Sequence, residues 1–347
     1  MFSCTRNSYV FTGTYTKNDK SGIHIYKFNE KSGSLLPASK TENINDPSYL
    51  AFSKNKKYLY SVNEGDGRVS SFYFDQKQGS LLPINQQSSE GGAPCYIAVD
   101  KSGKFLSVAN YTGGNFVIYP LSENGEILPS VQNIRFTASD NKPSHAHQTI
   151  FSPDNKYLFV TDLGGDKLYQ YSFNANAQTP VANNPKVYKI SAEHSPRHLA
   201  IDAAGRHLYL LNEWEGNIFT YKIMEDSLRF VQENISTGIV NPQNKNKGSA
   251  AIKISPDGKF LYASNRGITN SIAIFKIDKN GMLSKVGEQK TDEHPRDFMI
   301  SRSGKFLLIA SRDGNSIKTY LRNSQTGLLN YSGVSTSVSM PVMLLEY

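Results

Sequence analysis

Four residues of the sequence could together open a cyclic ester: His147, Arg197, Glu213 and Arg266. A histidine and a glutamate can exchange protons with a substrate near neutral pH. Two arginines can bind a carboxylate or phosphate and stabilise the oxyanion that forms when water attacks a carbonyl carbon. This inventory supports acyl transfer to water and requires no cofactor. Because the four residues lie far apart along the chain, the fold must bring them together.

An internal repeat predicts the elements that position these residues. Its unit is an apolar triplet, a turn, an apolar stretch that ends in a small polar residue, and a strand of alternating aromatic residues. The apolar stretches end at six positions, which are Asn63, Asn110, Asp162, Asn212, Asn265 and Ser311. The intervals between these positions are 47, 52, 50, 53 and 46 residues, with a mean of 49.6, so the 347 residues correspond to seven units.

Each unit has the composition of four β-strands. Val, Ile, Tyr and Phe dominate the strands, and no segment has helical periodicity. In the unit that contains Asn110, the fourth strand is predicted near Ile127–Pro129. The seventh unit is divided between the termini, since Pro341–Leu345 matches a first strand and Tyr9–Thr14 a second strand. The sequence therefore predicts an all-β, seven-bladed β-propeller that is closed by its N- and C-terminal segments in one blade, with residues 1–347 as a single domain.

One mouth of the predicted central channel carries the turns between first and second strands. The first column of these turns requires a left-handed backbone and holds Lys56, Gly103, Asn155, Gly205, Gly258 and Gly304. The next column is basic in six units, at Lys57, Lys104, Lys156, Arg206, Lys259 and Lys305. We interpret these residues as a solvated ring of turn charges. No aromatic platform alternates with them, so we expect no nucleic-acid partner.

The other mouth carries residues that differ from blade to blade. A structural column would repeat one residue type, whereas variable charged residues on one face are typical of a functional site. The column at the start of the first strands is Ser48, Cys95, His147, Arg197, Ala250, Arg296 and Val342, and the column after the second strands is Tyr15, Glu64, Tyr111, Leu163, Glu213, Arg266 and Arg312. The alternative interpretation is a set of structural ion pairs between blades.

Within these columns we predict His147, Arg197, Glu213 and Arg266 as catalytic residues. The predicted substrate-binding residues lie beside them and are His145, Arg296, Arg312, Glu64, Asn212 and Asn265. His145 and His147 could form a metal pair, but no motif rich in carboxylates or cysteines accompanies them, so no metal site is predicted. Cys95 could be a nucleophile, although a small residue that packs the channel is the preferred interpretation.

Motifs around these residues resemble those of the seven-bladed β-propeller lactonases, a family that includes bacterial 6-phosphogluconolactonases and fungal carboxymuconate cyclases. The resemblance extends roughly from Ser8 to Leu345. The motifs are Pro143-Ser144-His145-Ala146-His147, Ser195-Pro196-Arg197-His198, Asn212-Glu213, Ser255 to Tyr262, Ser264-Asn265-Arg266-Gly267 and His294-Pro295-Arg296-Asp297-Phe298. The cyclases are described as using a histidine, two arginines and a glutamate. The resemblance implies these roles for His147, Arg197, Arg266 and Glu213.

The expected function is hydrolysis of a sugar-acid lactone, with 6-phosphoglucono-δ-lactone as the leading substrate. Either Glu213 or His147 would activate water, and Arg197 and Arg266 would hold the anion and the oxyanion. Two alternatives stay open: a cyclase that forms a lactone from a muconate-like diacid, and a non-catalytic propeller that binds a protein or glycan at this mouth. No cofactor is expected.

Composition limits the cellular setting. With 38 Lys and Arg against 30 Asp and Glu, the formal net charge is +8, and the four arginines of the variable columns are the part of it that favours an anionic small substrate. No apolar run is long enough to span a membrane, no signal peptide begins the sequence, and two cysteines cannot form a disulfide framework. The sequence therefore predicts a cytoplasmic protein without a membrane partner, as a monomer or weak homo-oligomer.

Overall fold

The computed structural model describes residues 8–15, 22–137, 142–191, 194–236 and 247–347. Its regular structure in these ranges consists of strands, which form seven four-stranded antiparallel sheets arranged in a ring. The predicted seven-bladed β-propeller is confirmed. Within the described ranges, no helix is long and apolar enough to cross a membrane.

The strands of the first half of the chain have the following bounds. They are β1 (Ser8–Thr14), β2 (His24–Phe28), β3 (Leu35–Lys40), β4 (Tyr49–Phe52), β5 (Tyr58–Asn63), β6 (Arg68–Asp75), β7 (Ser80–Ser88), β8 (Pro94–Val99), β9 (Phe105–Asn110), β10 (Asn115–Pro120), β11 (Gln132–Arg135), β12 (Ala146–Phe151), β13 (Tyr157–Asp162) and β14 (Lys167–Ser172).

The strands of the second half follow in the same way. They are β15 (Lys186–Lys189), β16 (Pro196–Ile201), β17 (His207–Asn212), β18 (Asn217–Ile223), β19 (Leu228–Ile235), β20 (Lys247–Ile254), β21 (Phe260–Gly267), β22 (Ser271–Ile277), β23 (Leu283–Lys290), β24 (Pro295–Ile300), β25 (Phe306–Ser311), β26 (Ser316–Arg322), β27 (Leu329–Ser337) and β28 (Pro341–Glu346).

Each blade has four strands in sequential order, except that the first blade takes one strand from the C-terminus. Blade 1 has the order β28-β1-β2-β3, and blades 2 to 7 take the next strands in groups of four, from β4–β7 to β24–β27. In blade 1, Phe11 pairs with Leu345 and Thr12 with Leu344. The predicted closure of the ring by both chain ends is therefore confirmed, and β28 covers the edge of β1 that would otherwise be open.

The apolar core lies between neighbouring blades. Between blades 4 and 5, for example, Phe159 and Leu168 of one sheet pack with Leu199 and Leu208 of the next. The strands that alternate aromatic and aliphatic residues thus bury both faces of each sheet, while their ends stay at the two mouths of the channel.

The turns at one mouth have the predicted left-handed backbone. The six residues of that column have positive φ angles, namely Lys56 (59°), Gly103 (82°), Asn155 (62°), Gly205 (67°), Gly258 (69°) and Gly304 (69°). The six basic residues that follow them are exposed to solvent. This mouth is called the turn mouth below, and the opposite one the site mouth.

The predicted fourth strand of blade 3 was wrong in position. Residues near Ile127 form only an isolated bridge to Leu121, and the outer strand is β11, Gln132–Arg135. An outer strand pairs on one edge only and is half exposed, so its sequence is polar and carries little of the β signal that marks the inner strands.

Candidate functional site

β-bulges turn the innermost strands toward the site mouth. The pairing of β8, β12, β16 and β24 with their neighbours skips one residue near the start of each strand. The skipped residues are Cys95, His147, Arg197 and Arg296, all members of the variable column. A bulged residue is freed from the alternation of the strand and can direct its side chain into an adjacent cavity. These local irregularities therefore aim the column at the channel.

The centre of the site is a carboxylate held between two guanidinium groups. Arg197 Nε lies 2.8 Å from Glu213 Oε2, and Arg266 Nη2 lies 3.0 Å from Glu213 Oε1. The side chains of both arginines are nearly buried, at 3% and 9% exposure, while that of Glu213 is 24% exposed. Three of the four predicted catalytic residues are thus in direct contact, across blades 5 and 6.

Backbone carbonyls fix both arginines further. Arg197 Nη1 donates to the carbonyl oxygen of Ala250 at 2.5 Å. Arg266 donates through Nε to Gly248 at 2.7 Å and through Nη2 to Ser249 at 3.2 Å. Each cation therefore has several fixed acceptors, so its position is set before any substrate arrives.

Glu213 is ionised in this environment. Burial alone would raise the pKa of its carboxyl group, but Arg266, Arg197 and Arg296 together lower it below the usual value. Burial and the neighbouring Arg266 lower the pKa of Arg197 to about 10, against the opposing effect of Glu213. Both groups keep their charges at neutral pH, and the cluster carries a net positive charge.

His147, in blade 4, is buried next to this cluster and is neutral. Burial, followed by the charges of Arg197 and other nearby groups, lowers the pKa of its imidazole well below the usual value. Its ring packs edge-to-face against Tyr111, with centroids 5.7 Å apart, and against His198, with centroids 5.1 Å apart. Its Nδ1 atom has no hydrogen-bond partner among the described residues. A neutral imidazole can accept a proton, which is the chemistry that activation of water requires.

Three of the predicted substrate-binding residues are committed to internal contacts. His145 stacks on Tyr111 at 4.4 Å, and its Nδ1 lies 2.9 Å from the Tyr111 carbonyl oxygen. Asn212 is buried and donates to Asn217 at 2.8 Å. Asn265 is buried and accepts from Ser249 at 2.7 Å. These contacts suit residues that hold the ends of strands in place.

The remaining predicted binding residues line the mouth. The guanidinium of Arg296 lies over the ring of Tyr15, 4.9 Å from its centroid, and the Tyr15 hydroxyl donates to Glu64 Oε2 at 3.1 Å. Arg312 pairs through two nitrogens with Asp313, at 2.7 and 2.9 Å. Arg296 and Glu64 thus extend the site toward blades 7, 1 and 2, whereas the charge of Arg312 is already paired.

A second layer of polar residues lies below the mouth, and its members were not among the site residues predicted from the sequence. His198 Nε2 lies 3.3 Å from Arg197 Nη1. Because a guanidinium only donates, His198 accepts through Nε2 and is a positioning residue for Arg197. Near it lies an ion pair, 2.8 Å long, between Lys253, whose side chain is 27% exposed, and the buried Asp297. The column after the bulge, which holds Tyr49, Tyr96, Gln148, His198, Ala251, Asp297 and Met343, varies as much as the mouth column, and this variation is the signal that could have indicated the layer.

The cysteine and metal alternatives find no support in the geometry. Burial raises the pKa of the Cys95 thiol, so the reactive thiolate is disfavoured. The thiol points to backbone oxygens of Ala146 and His147, at 3.6 and 3.4 Å. Across the described ranges, no group of three or more His, Cys, Asp or Glu side chains is placed to hold a metal ion.

Fold and site together define a seven-bladed β-propeller with a proton acceptor and paired guanidinium groups in one channel mouth, a site suited to ester chemistry. The chain belongs to the seven-bladed β-propeller lactonase family, whose model matches residues 9–345. The family that the sequence motifs predicted is confirmed.

Relatives of known name cover nearly the whole chain. A 6-phosphogluconolactonase of Formosa agariphila is 38% identical over 334 residues, covering 92% of this chain and 94% of its own length. A Bacteroides fragilis structure assigned as a 6-phosphogluconolactonase superposes with a TM-score of 0.93 at 37% identity, over 100% of this chain and 99% of that one. The periplasmic gluconolactonase PpgL of Pseudomonas aeruginosa superposes with a TM-score of 0.92 at 30% identity, over 98% of each chain.

Proposed function

We propose that this protein hydrolyses 6-phosphoglucono-δ-lactone to 6-phosphogluconate. The observation that carries the proposal is the carboxylate of Glu213 fixed between Arg197 and Arg266, with the neutral imidazole of His147 beside them. The names of the F. agariphila and B. fragilis relatives support the same substrate.

In the proposed mechanism, His147 is the general base. Water attacks the lactone carbonyl carbon while the imidazole takes its proton, and the imidazolium then returns that proton to the ring oxygen as the ester bond breaks. Glu213 is a poorer candidate for the base, because two arginines stabilise its ionised form and occupy its oxygens. Its role is to position both guanidinium groups.

Arg197 and Arg266 would stabilise the oxyanion of the tetrahedral intermediate. Their preorganised N–H groups offer charge-assisted hydrogen bonds where negative charge develops, and such stabilisation accounts for much of the rate enhancement in many acyl-transfer enzymes. Burial is the main cause of the lowered pKa of His147, and the charges of the neighbouring arginines add to it. An anionic substrate would offset the contribution of the arginines and would raise the basicity of the imidazole to that extent.

The direct test is hydrolysis of 6-phosphoglucono-δ-lactone, followed as acid release above the spontaneous rate with a chelator present. We expect acceleration by the wild-type protein and a loss of about 100- to 1,000-fold in kcat for Arg197→Ala, the size typical of a lost oxyanion donor. No acceleration by the wild-type protein, or full activity of Arg197→Ala, would rule the proposal out. A muconate-type diacid in the same assay distinguishes the cyclase, which would form a lactone without net hydrolysis.

We further propose that the protein acts in the cytoplasm as a monomer or weak homo-oligomer. A phosphorylated sugar lactone is charged and does not cross a membrane freely, so its hydrolase belongs in the compartment where the lactone forms. The P. aeruginosa relative is periplasmic, which makes cell fractionation the decisive measurement. Detection of the native protein only in the periplasmic fraction would contradict the proposal.

A further inference from the structure

Arg296 differs from the other arginines of the site mouth in having no acceptor. Arg197 and Arg266 are bonded to Glu213 and to backbone carbonyls, and Arg312 is paired with Asp313. Among the described residues, the guanidinium of Arg296 has neither a hydrogen bond nor an ion pair, and its contact is with the ring of Tyr15. Its side chain lies partly exposed at the mouth. A guanidinium in this state has its donors available for a ligand.

The contact with Tyr15 leaves these donors available. The guanidinium carbon lies over the ring, 4.9 Å from its centroid, and this cation–π contact uses none of the N–H groups, so they can form a bidentate contact with a ligand. Tyr15 does not compete as an anion, because burial, against the opposing charge of Arg296 and with a contribution from Glu64, raises its pKa to about 12. Its hydroxyl donates to Glu64, which fixes the ring that supports the arginine.

Arg296 also lies close enough to the reaction centre to serve the same ligand. Its charge acts on His147 in blade 4, on Arg197 and Glu213 in blade 5, and on Arg266 in blade 6. It is itself a bulged residue at the start of β24. A ligand that places a carbonyl carbon between His147 and the paired arginines could therefore reach Arg296 with a second anionic group.

We propose that Arg296 binds the phosphate of the lactone substrate and thereby selects phosphorylated over unphosphorylated sugar lactones. The proposal rests on the proposed lactonase function, since the carbonyl must occupy the His147 end of the site. A phosphate dianion is the group that profits most from an unpaired bidentate cation. In 6-phosphoglucono-δ-lactone it is carried by the exocyclic carbon, which is attached to the ring carbon that bonds the ring oxygen, so only a few bonds separate it from the carbonyl carbon.

The test compares kcat/KM for 6-phosphoglucono-δ-lactone and glucono-δ-lactone in wild type, Arg296→Gln and Arg296→Lys. Loss of a charge-assisted bidentate contact is expected to lower the preference of Arg296→Gln for the phosphorylated lactone by about 10- to 100-fold, mainly through KM. Arg296→Lys, which keeps the charge without the fork, should lie in between. Arg206→Ala, an exposed arginine of the turn mouth, is the matched control and should keep the wild-type preference.

An equal loss on both lactones would overturn the proposal and give Arg296 a role in the common chemistry or in folding. Unchanged preference would overturn it as well, and a larger effect of Arg312→Ala would move the phosphate contact to that residue. Binding of 6-phosphogluconate and gluconate, measured by calorimetry, separates this inference from the function. If the wild-type protein hydrolyses neither lactone, preferential binding of the phosphorylated acid that Arg296→Gln loses would still support the contact. Equal binding of both acids would refute it.

Discussion

At the scale of single residues, three residue types have three different roles in the site. Glu213 fixes two arginines, His147 stays neutral, and Arg296 keeps its donors open. The separation follows from where each residue lies. The carboxylate that contacts two cations loses its basicity, and the imidazole that lies near the same cations cannot become charged without cost.

The position of His147 predicts the pH dependence of the reaction. In the proposed mechanism the neutral imidazole is the competent form, and its pKa in the free enzyme is lowered well below the usual value, chiefly by burial. As the pH falls, kcat/KM for glucono-δ-lactone, which carries no titrating phosphate, should therefore stay level through the range where a free histidine becomes protonated, and decline only in more acidic solution. The measurement is the initial rate from mildly alkaline pH down to the acid limit of stability, corrected for spontaneous hydrolysis.

His147→Gln is the corresponding variant. Removal of a general base is expected to lower kcat by about 100- to 10,000-fold and to abolish the acid limb of the profile. Thermal unfolding of the variant serves as the control for folding. A midpoint near the usual histidine pKa in the wild-type protein would contradict the assignment, because it would place the titrating group outside the buried cluster.

At the scale of elements, β-bulges position the side chains of the site mouth, and turns reverse the chain at the turn mouth. A bulge at the start of an inner strand turns one side chain into the site mouth, and a left-handed turn reverses the chain at the turn mouth. In blades 3, 4, 5 and 7 the two irregularities lie at opposite ends of the inner hairpin. Substitutions in the turn should therefore change stability without changing the chemistry.

Gly258 provides a clean test of the turn. Its φ angle is 69°, and a Cβ atom built there would have no atom within 4 Å. An alanine would therefore destabilise the fold only through the strain of a left-handed backbone. We expect Gly258→Ala to lower the free energy of unfolding by about 1 kcal/mol, as the left-handed penalty is partly offset by a stiffer unfolded chain. Urea denaturation measures the change.

Lys259→Ala, at the next exposed position, is the control and should stay within about 0.5 kcal/mol of wild type. Lactone turnover at low temperature should be the same for both variants. If Gly258→Ala left the free energy of unfolding unchanged, the turn would have relaxed to another conformation, and the requirement for a left-handed residue would be contradicted.

The difference between recurring elements and local irregularities explains how much of the structure could be predicted from the sequence. Inner strands and turns recur with fixed residue types, so the repeat predicted seven blades, the closure and the left-handed column. The column of the site mouth brought His147, Glu213 and the arginines to one place. Outer strands such as β11 are polar and carry no such signal. The variable column that contains His198 could have indicated the polar layer, whereas the bulges and the contact of His198 with Arg197 depend on backbone and side-chain geometry.

At the scale of the whole molecule, the basic residues behind the net charge of +8 lie in two different environments. Six exposed basic residues lie at the turn mouth, where solvent screens them, whereas the arginines of the site mouth are held among buried groups. Buried charges act more strongly than exposed ones because water does not weaken their fields. The attraction for an anionic substrate therefore comes from the smaller, buried set.

The closure of the ring connects both termini to the site. Leu344 of β28 is 1% exposed and packs with Val10, Met299 and Leu308, and its backbone nitrogen donates to Asp297, the partner of Lys253 in the channel. We propose that residues 1–347 form a single cooperative unit for this reason. Each sheet packs on two neighbours, so a loss at the closure should spread around the ring.

Leu344→Ala tests this unit. Truncation of a buried leucine should lower the free energy of unfolding by about 2–4 kcal/mol, whereas Leu345→Ala, at a partly exposed position of the same strand, should cost less. The single tryptophan, Trp214, lies beside Glu213 in blade 5, away from the closure in blade 1. Its fluorescence and the far-UV circular dichroism should therefore shift to the same lower urea midpoint. If the dichroism shifted while the tryptophan signal kept the wild-type midpoint, blade 1 would unfold by itself, and the chain would consist of more than one cooperative unit.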